Sequence, residues 1–316
     1  MRAVTAPAVR ARDARKRRAS IAREASARAS RETETNPPRS KTAAYEQAHL
    51  AIVKGLEGTM KRREGGSTKR KSGRTKKTTR ARLAVELPVS DGSDEGMVEM
   101  AVGTLGDLAS DATCVFGSAK ACAIASGDEG VRFESVSVDD AWGVVEAGAR
   151  EGVVALVGVP ADRVEAAMKK CKAASGRPVV GVNVEWAHAG DGGLANAMDR
   201  QQKGIDDQPM SDVEEFTHSF VVVYSFLPLS IQATMFGSTL EGAVFKCVRG
   251  GAPAGSPWRI LVKENGEFEQ VGAMQRRPEQ ADLESALYNS IAAKSQVNQV
   301  VGKASGFMRG LFNRDK

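Results

Sequence analysis

Aromatic residues make up only 5% of this 316-residue chain, and its three histidines, His49, His188 and His218, are spread along its whole length. Metal binding needs three or four ligands gathered in one place, so no metal site is expected. Cys114, Cys122, Cys171 and Cys247 stand far apart with no C-x-x-C pair, which signals neither a zinc site nor a disulfide framework and leaves reduced thiols as the expectation. Long apolar runs are missing as well: no stretch of 18 apolar residues offers a membrane-spanning helix. The common catalytic signatures are absent too. GGSTKRKSG lacks the spacing of a phosphate-cradling G-x-x-x-x-G-K-[ST] loop, no G-x-G-x-x-G follows the first strand, and no G-x-S-x-G elbow occurs. No catalytic residue and no cofactor is nominated.

Charge is present in abundance but divided unevenly. Residues 1–82 hold 24 Lys and Arg against 7 Asp and Glu, a net of +17, whereas residues 83–316 hold 21 against 32, a net of −11. The overall +6 therefore averages an acidic body and a basic front. Nucleic-acid-binding domains carry their basic residues on a folded face that meets phosphates, and here the basic charge precedes the fold. Residues 1–38 are rich in Arg, Ala and Ser, poor in acids and without an apolar core segment, the pattern of an organelle transit peptide rather than a secretory signal. Residues 61–82 gather eleven Lys and Arg against one acid among Gly, Ser and Thr, with no apolar face to offset the cost of ordering the backbone. They read as a flexible basic insert. With no aromatics interleaved for base stacking, RNA binding there ranks behind attraction to anionic lipid and behind a plain solvated bridge.

Between these segments the hydrophobic pattern alternates strand and helix. Tyr45, Ala48, Ile52 and Leu56 fall at helical spacing behind a capping Ser40. Strands are expected at 83–89, 113–116, 131–138, 153–160 and 177–186, with helices near 95–108, 118–125, 141–149 and 161–176. VVALVGVP, apolar at almost every position, fits a strand covered on both faces. After the loop AHAGDGG the pattern changes to successive strands, FVVVYSFLPL, GAVFKCV and PWRILVKENGEFEQVG, with no helix expected between them and Asn265-Gly266 supplying a tight hairpin. A helix closes the chain. The expected fold is a three-layer α/β/α domain over residues 39–290, its mainly parallel sheet finishing in antiparallel strands, behind a disordered basic leader.

Open α/β sheets take ligands beyond the carboxyl ends of their strands. Asn183, Glu185, Trp186 and Asp191 cluster at such an end and are the candidate ligand-binding residues, although a capping Asn183 and a packing Trp186 account for two of them without any ligand. The tail 291–316 offers a second candidate. Val297, Val300, Val301, Ala304, Phe307, Met308, Leu311 and Phe312 share one arc of a helix while Lys303 and Arg309 point elsewhere, and five bases face one acid. Phe307, Met308, Leu311, Phe312, Lys303 and Arg309 are thus candidate contacts to an anionic membrane or a partner's groove.

In order along the chain, ARLAVELP, VGVPADRVEAAMKKC, RPVVGVNVEW, FTHSFVVVYSFLPL, GAVFK and PWRILVKENGEFEQVG resemble the successive blocks of a domain-of-unknown-function family of cyanobacteria, algae and plants that includes the chloroplast protein Low PSII Accumulation Three. The match covers most of residues 40–290. Two departures stand out: the family's short link between first helix and first strand is here the basic insert, and Val184 stands where a Pro often follows the strand Asn. The resemblance implies an α/β domain in the chloroplast, in the stroma or peripheral at the thylakoid membrane, and a non-catalytic part in photosystem II assembly through a photosystem II subunit or assembly factor. It brings no catalytic residues. The rival expectation is a nucleotide- or metabolite-binding enzyme using the loop around Asn183 and Asp191.

Overall fold

A computed structural model describes residues 36–64, 82–88, 92–140, 152–174, 176–186, 210–233, 238–248 and 256–294. Most of the leader, the insert at 65–81, the helix expected near 141–149 and the tail beyond residue 294 lie outside the described residues.

Helix α1 (Lys41–Glu64) begins as expected, with Ser40 Oγ accepting from Ala43 N–H at 3.1 Å, and buries Tyr45, Ala48, Ile52 and Leu56. It runs to Glu64, into the stretch read as insert, because Lys61–Glu64 are fair helix formers and the paired glycines Gly65-Gly66 come only after them. There follow β1 (Arg82–Glu86), α2 (Asp94–Leu105), a 3₁₀ turn (Gly106–Asp111), β2 (Thr113–Phe116), α3 (Ala119–Gly127), β3 (Glu134–Ser137) and β4 (Val154–Val157). Next come a 3₁₀ turn (Ala161–Arg163), α4 (Val164–Ala173), β5 (Val179–Val182), α5 (Asp212–His218), β6 (Val221–Ala233), β7 (Ser238–Cys247), β8 (Trp258–Glu264), β9 (Glu267–Met274) and α6 (Gln280–Lys294).

These strands form one nine-stranded sheet in the order β3-β2-β4-β5-β1-β6-β7-β8-β9, parallel from β3 to β6 and antiparallel from β6 to β9. One face packs on α1, α2 and α3 through a core that includes Ile52, Leu105 and Phe116; the other packs on α4, α5 and α6 around Met168, Phe216, Trp258 and Leu283. Every residue of β2, β4 and β5 is buried, which is why those strands read as unbroken apolar runs. Each large apolar side chain so buried stabilises the fold by about 1.5–3 kcal/mol. The expected three layers, and the parallel sheet that finishes antiparallel, are the architecture seen.

Three local differences have physical causes. The strand expected over 177–186 stops at Val182 because Asn183 turns to φ 51°, outside the extended region. Ala161–Arg163 forms a 3₁₀ turn behind Pro160, so the α-helix expected from 161 begins only at Val164. Helix α5 was not expected at all, yet Ser211 and Glu214 close a full capping box around its start. At the β8–β9 turn, Asn265 (φ 51°) and Gly266 (φ 85°) adopt the positive angles that the Asn-Gly pair predicts.

Candidate functional site

The strand order places two switch points along the carboxyl edge of the parallel strands. The chain leaves β1 and β2 towards the α2–α3 face and leaves β4 and β5 towards the α4–α5 face. Because β5 lies beside β1 and β2 beside β4, the helices diverge at both borders, and a crevice between diverging helices is where such sheets take ligands.

Among the described residues the strands are bridged at both borders by the chain's own atoms. Between β5 and β1, Asn183 donates its backbone N–H to Val85 C=O at 2.9 Å and then continues the ladder with its side chain. Asn183 Oδ1 accepts from Leu87 N–H at 2.7 Å, and Nδ2 donates to Leu87 C=O at 2.7 Å. Both atoms of the amide are thus engaged. Between β2 and β4 the strand ends meet through glycines: a Cβ built on Gly117 would sit 2.2 Å from Gly158 C=O, and Gly158 holds φ 57° above Met97. Gly117 accepts no side chain without a shift of backbone, and at Gly158 a side chain would be strained by the positive φ.

Around this edge stand exposed or half-exposed ion pairs. Lys120 approaches Asp94 (3.5 Å) and Glu95 (3.7 Å) at the start of α2, and Arg163 Nε lies 3.3 Å from Asp139. Glu185 Oε2 accepts from Ala161 N–H at 2.8 Å and so caps the 3₁₀ turn. Trp186 is buried in the α4–α6 core, its indole N–H without a partner among the described residues. Of the four sequence-selected residues, then, Asn183 latches two strands, Glu185 caps a turn and Trp186 packs, while Asp191 lies outside the described residues. Lys303, Phe307, Met308, Arg309, Leu311 and Phe312 do so as well.

Beside Asn183 the sheet carries a charged row that sequence reading missed. Glu86 closes β1 opposite Ser225 of β6, and Ser225 stands opposite Lys246 of β7. Ser225 Oγ donates to Glu86 Oε2 at 2.8 Å, and Arg277 Nη1 donates to Glu86 Oε1 at 2.5 Å. Lys246 Nζ lies 4.9 Å, and Arg277 Cζ 5.7 Å, from the centre of the fully buried Trp258 ring. Glu86 is 8% exposed and Lys246 2%. A carboxylate and an ammonium at such depth are tolerated only with partners, and Ser225, Arg277 and the Trp258 ring supply them. The available signal was a charged residue inside each of two apolar runs, ARLAVELP and GAVFKCV.

Other titratable groups have shifted values. Burial pushes the thiols of Cys114 and Cys122 and the hydroxyls of Tyr224 and Tyr45 above their ordinary values. It lowers Lys170, whose Nζ donates to Asp140 C=O at 2.7 Å. Among the described residues no group of three or more His, Cys, Asp and Glu is placed to hold a metal ion, and no helix is long and apolar enough to cross a membrane.

Compared with known proteins, the chain matches the model of a family described as a domain of unknown function (DUF1995) over residues 38–285. No curated protein and no solved structure matches it.

Proposed function

The chain belongs to this DUF1995 family, and from that premise we propose that it is a non-catalytic chloroplast factor that aids photosystem II assembly or accumulation. It works by holding a photosystem II subunit or assembly factor at the stromal side of the thylakoid. The observation that carries this reading is the Asn183 latch: at the β5–β1 border, beside which an open α/β sheet takes a small ligand, the amide that could have met one is spent on the chain's own Leu87. What such a body offers is surface. The order of its sequence blocks, which resembles that of the family that includes Low PSII Accumulation Three, supports the chloroplast setting, and the Arg- and Ala-rich leader supports import into an organelle. The division between an acidic body and basic extensions supports a factor that meets the anionic face of the thylakoid through its extensions and a protein partner through its body.

Affinity capture of the tagged full-length chain from cross-linked thylakoids tests this, together with photosystem II levels in a line lacking the protein. Recovery of photosystem II subunits or assembly factors, with reduced accumulation in the deletion line, is expected. Normal photosystem II levels without the protein sink the proposal.

A further inference from the structure

Among the described residues two that are not glycine stand at positive φ, and both are asparagines: Asn183 at 51° and Asn265 at 51°. Their amides differ. That of Asn183 is held on both atoms by Leu87, whereas Asn265 is exposed at the tip of the β8–β9 hairpin and its amide has no hydrogen-bond partner among the described residues. Their followers differ as well. Val184 is β-branched and buried; Gly266 is bare, and a Cβ built on it would meet nothing within 4 Å. Every other asparagine of the chain is followed by a residue that carries a side chain: Pro37, Val184, Ala197, Ser290, Gln299 or Arg314.

An exposed Asn-Gly pair carries its own electrophile and nucleophile. With Asn265 at φ 51° and Gly266 at φ 85° the turn is type I′. In that turn the peptide plane between the two residues points Gly266 N away from Asn265 Cγ. Rotating this one plane gives type II′, the other turn that closes two-residue hairpins, with ψ of Asn265 moved to about −120° and φ of Gly266 to about −80°. Glycine takes either sign of φ, so the rotation meets no side-chain barrier. Strand pairing, from Glu264 opposite Glu267 onwards, stays as it is, and the rotated plane sets Gly266 N beside Cγ. We propose that Asn265 is a self-modification site, at which the chain deamidates to isoaspartate and aspartate. Gly266 N gives up its proton and bonds to Asn265 Cγ; the Cγ–Nδ2 bond breaks, and Nδ2 leaves with that proton as ammonia. Water then opens the cyclic imide. Breaking the bond from Cγ to Gly266 N leaves aspartate. Breaking the original backbone C–N bond leaves isoaspartate, whose chain runs on through Cβ and Cγ and is longer by one methylene. Either product places a carboxylate between Glu264 and Glu267, and the longer one no longer fits a two-residue turn. The outermost hairpin of the sheet therefore gains negative charge and loosens as the protein ages.

The test is to age the purified full-length chain at physiological temperature, in mildly acid and mildly alkaline buffer, and to map its peptides by mass spectrometry with fragmentation that separates isoaspartate from aspartate. Asn265 should convert ahead of every other asparagine, with isoaspartate the larger product and a rate that climbs with pH, because the attacking species is the deprotonated amide. An Asn265 that stays intact while a free peptide of residues 261–271 converts overturns the proposal, as does earlier conversion of another asparagine. Gly266→Ala should convert many times more slowly whether or not its hairpin closes, because the methyl group crowds the attacking nitrogen; an unchanged rate overturns attack from within the chain. The isolated isoaspartyl form should exchange its β8 and β9 backbone amides faster than the unaged chain, and equal exchange overturns the loosened hairpin.

Discussion

Asn183 does with one side chain what a further residue of β5 would do with its backbone, presenting an acceptor and a donor to Leu87. It can do so because Asn tolerates the left-handed region at φ 51° better than most residues. Asn183→Ala leaves the buried Leu87 N–H and C=O unpaired, at about 1–3 kcal/mol for each unsatisfied group, and adds strain at a positive φ. A fall in Tm of about 6–12 °C is expected by thermal unfolding, with Asn183→Gly recovering only the strain part. The thiols give a second test at this scale. Cys114 and Cys171 are buried, and burial holds the Cys114 thiol well above its ordinary value, whereas Cys122 and Cys247 are partly accessible. With an aromatic disulfide reagent at pH 8, Cys122 and Cys247 should react first and Cys114 and Cys171 only as fast as the fold opens. Burial also raises Cys122, so its rate should still climb above pH 8. Lys170 supplies a pH dependence of definite sign. Its lowered value means that, between that value and 10.5, the unfolded chain holds a proton the folded chain has released. Stability should therefore gain from Lys170 as pH rises through that window, a slope that Lys170→Met abolishes in denaturant titrations run as pH approaches 10.5.

At the scale of elements, the charged row ties β1, β6, β7 and β8 to the segment before α6 through groups that the register alone brings together. Removing one member of a buried, hydrogen-bonded ion pair costs about 3–5 kcal/mol, mostly because the other charge is stranded. Glu86→Gln and Arg277→Gln should each lower stability, while the double variant should cost clearly less than their sum, a double-mutant cycle read in urea. Additive losses would mean that Glu86 and Arg277 do not act as a pair. The layers themselves were legible before any coordinates: the helical stripe of α1, the apolar runs of β4 and β5 and the Asn-Gly turn each state their own geometry locally. The row was not legible, since Glu86 reaches Ser225 only through a bulge between Ala84 and Val85 that shifts β1 against β6. The candidate loop was legible in part. Asn183 was recognised at a strand end, but its partner Leu87 lies 96 residues away, and nothing local in the sequence names it. Helix α5 is a different case: S-D-V-E at 211–214 spells its capping box, yet seven residues are too few to stand out by periodicity.

For the whole molecule the governing contrast is electrostatic: residues 83–316 carry a net of −11, yet they end in a stretch, 291–316, where five bases face one acid. An anionic bilayer repels the first and attracts the second. Each Lys or Arg near such a surface contributes about 1 kcal/mol, and on the helix proposed for the tail the apolar arc through Phe307, Met308, Leu311 and Phe312 would add apolar burial. Gly302, Gly306 and Gly310 oppose helix formation by about 1 kcal/mol each, so the proposed membrane contact predicts a helix induced by the lipid surface. Two measurements follow. The full-length chain should float with vesicles containing phosphatidylglycerol and lose most of that binding when residues 291–316 are removed, whereas neutral vesicles should bind neither form. Its helical circular dichroism signal should rise on mixing with the anionic vesicles, and only in the form that keeps the tail. Raising ionic strength from 0.1 M towards 1 M shortens the Debye length from about 10 Å to about 3 Å and should weaken flotation without abolishing it, because the apolar part of the contact is not screened. If the tail-less chain floats as well as the full-length one and salt strips both completely, the attraction belongs to the eleven bases of residues 61–82, and the tail is not the membrane contact.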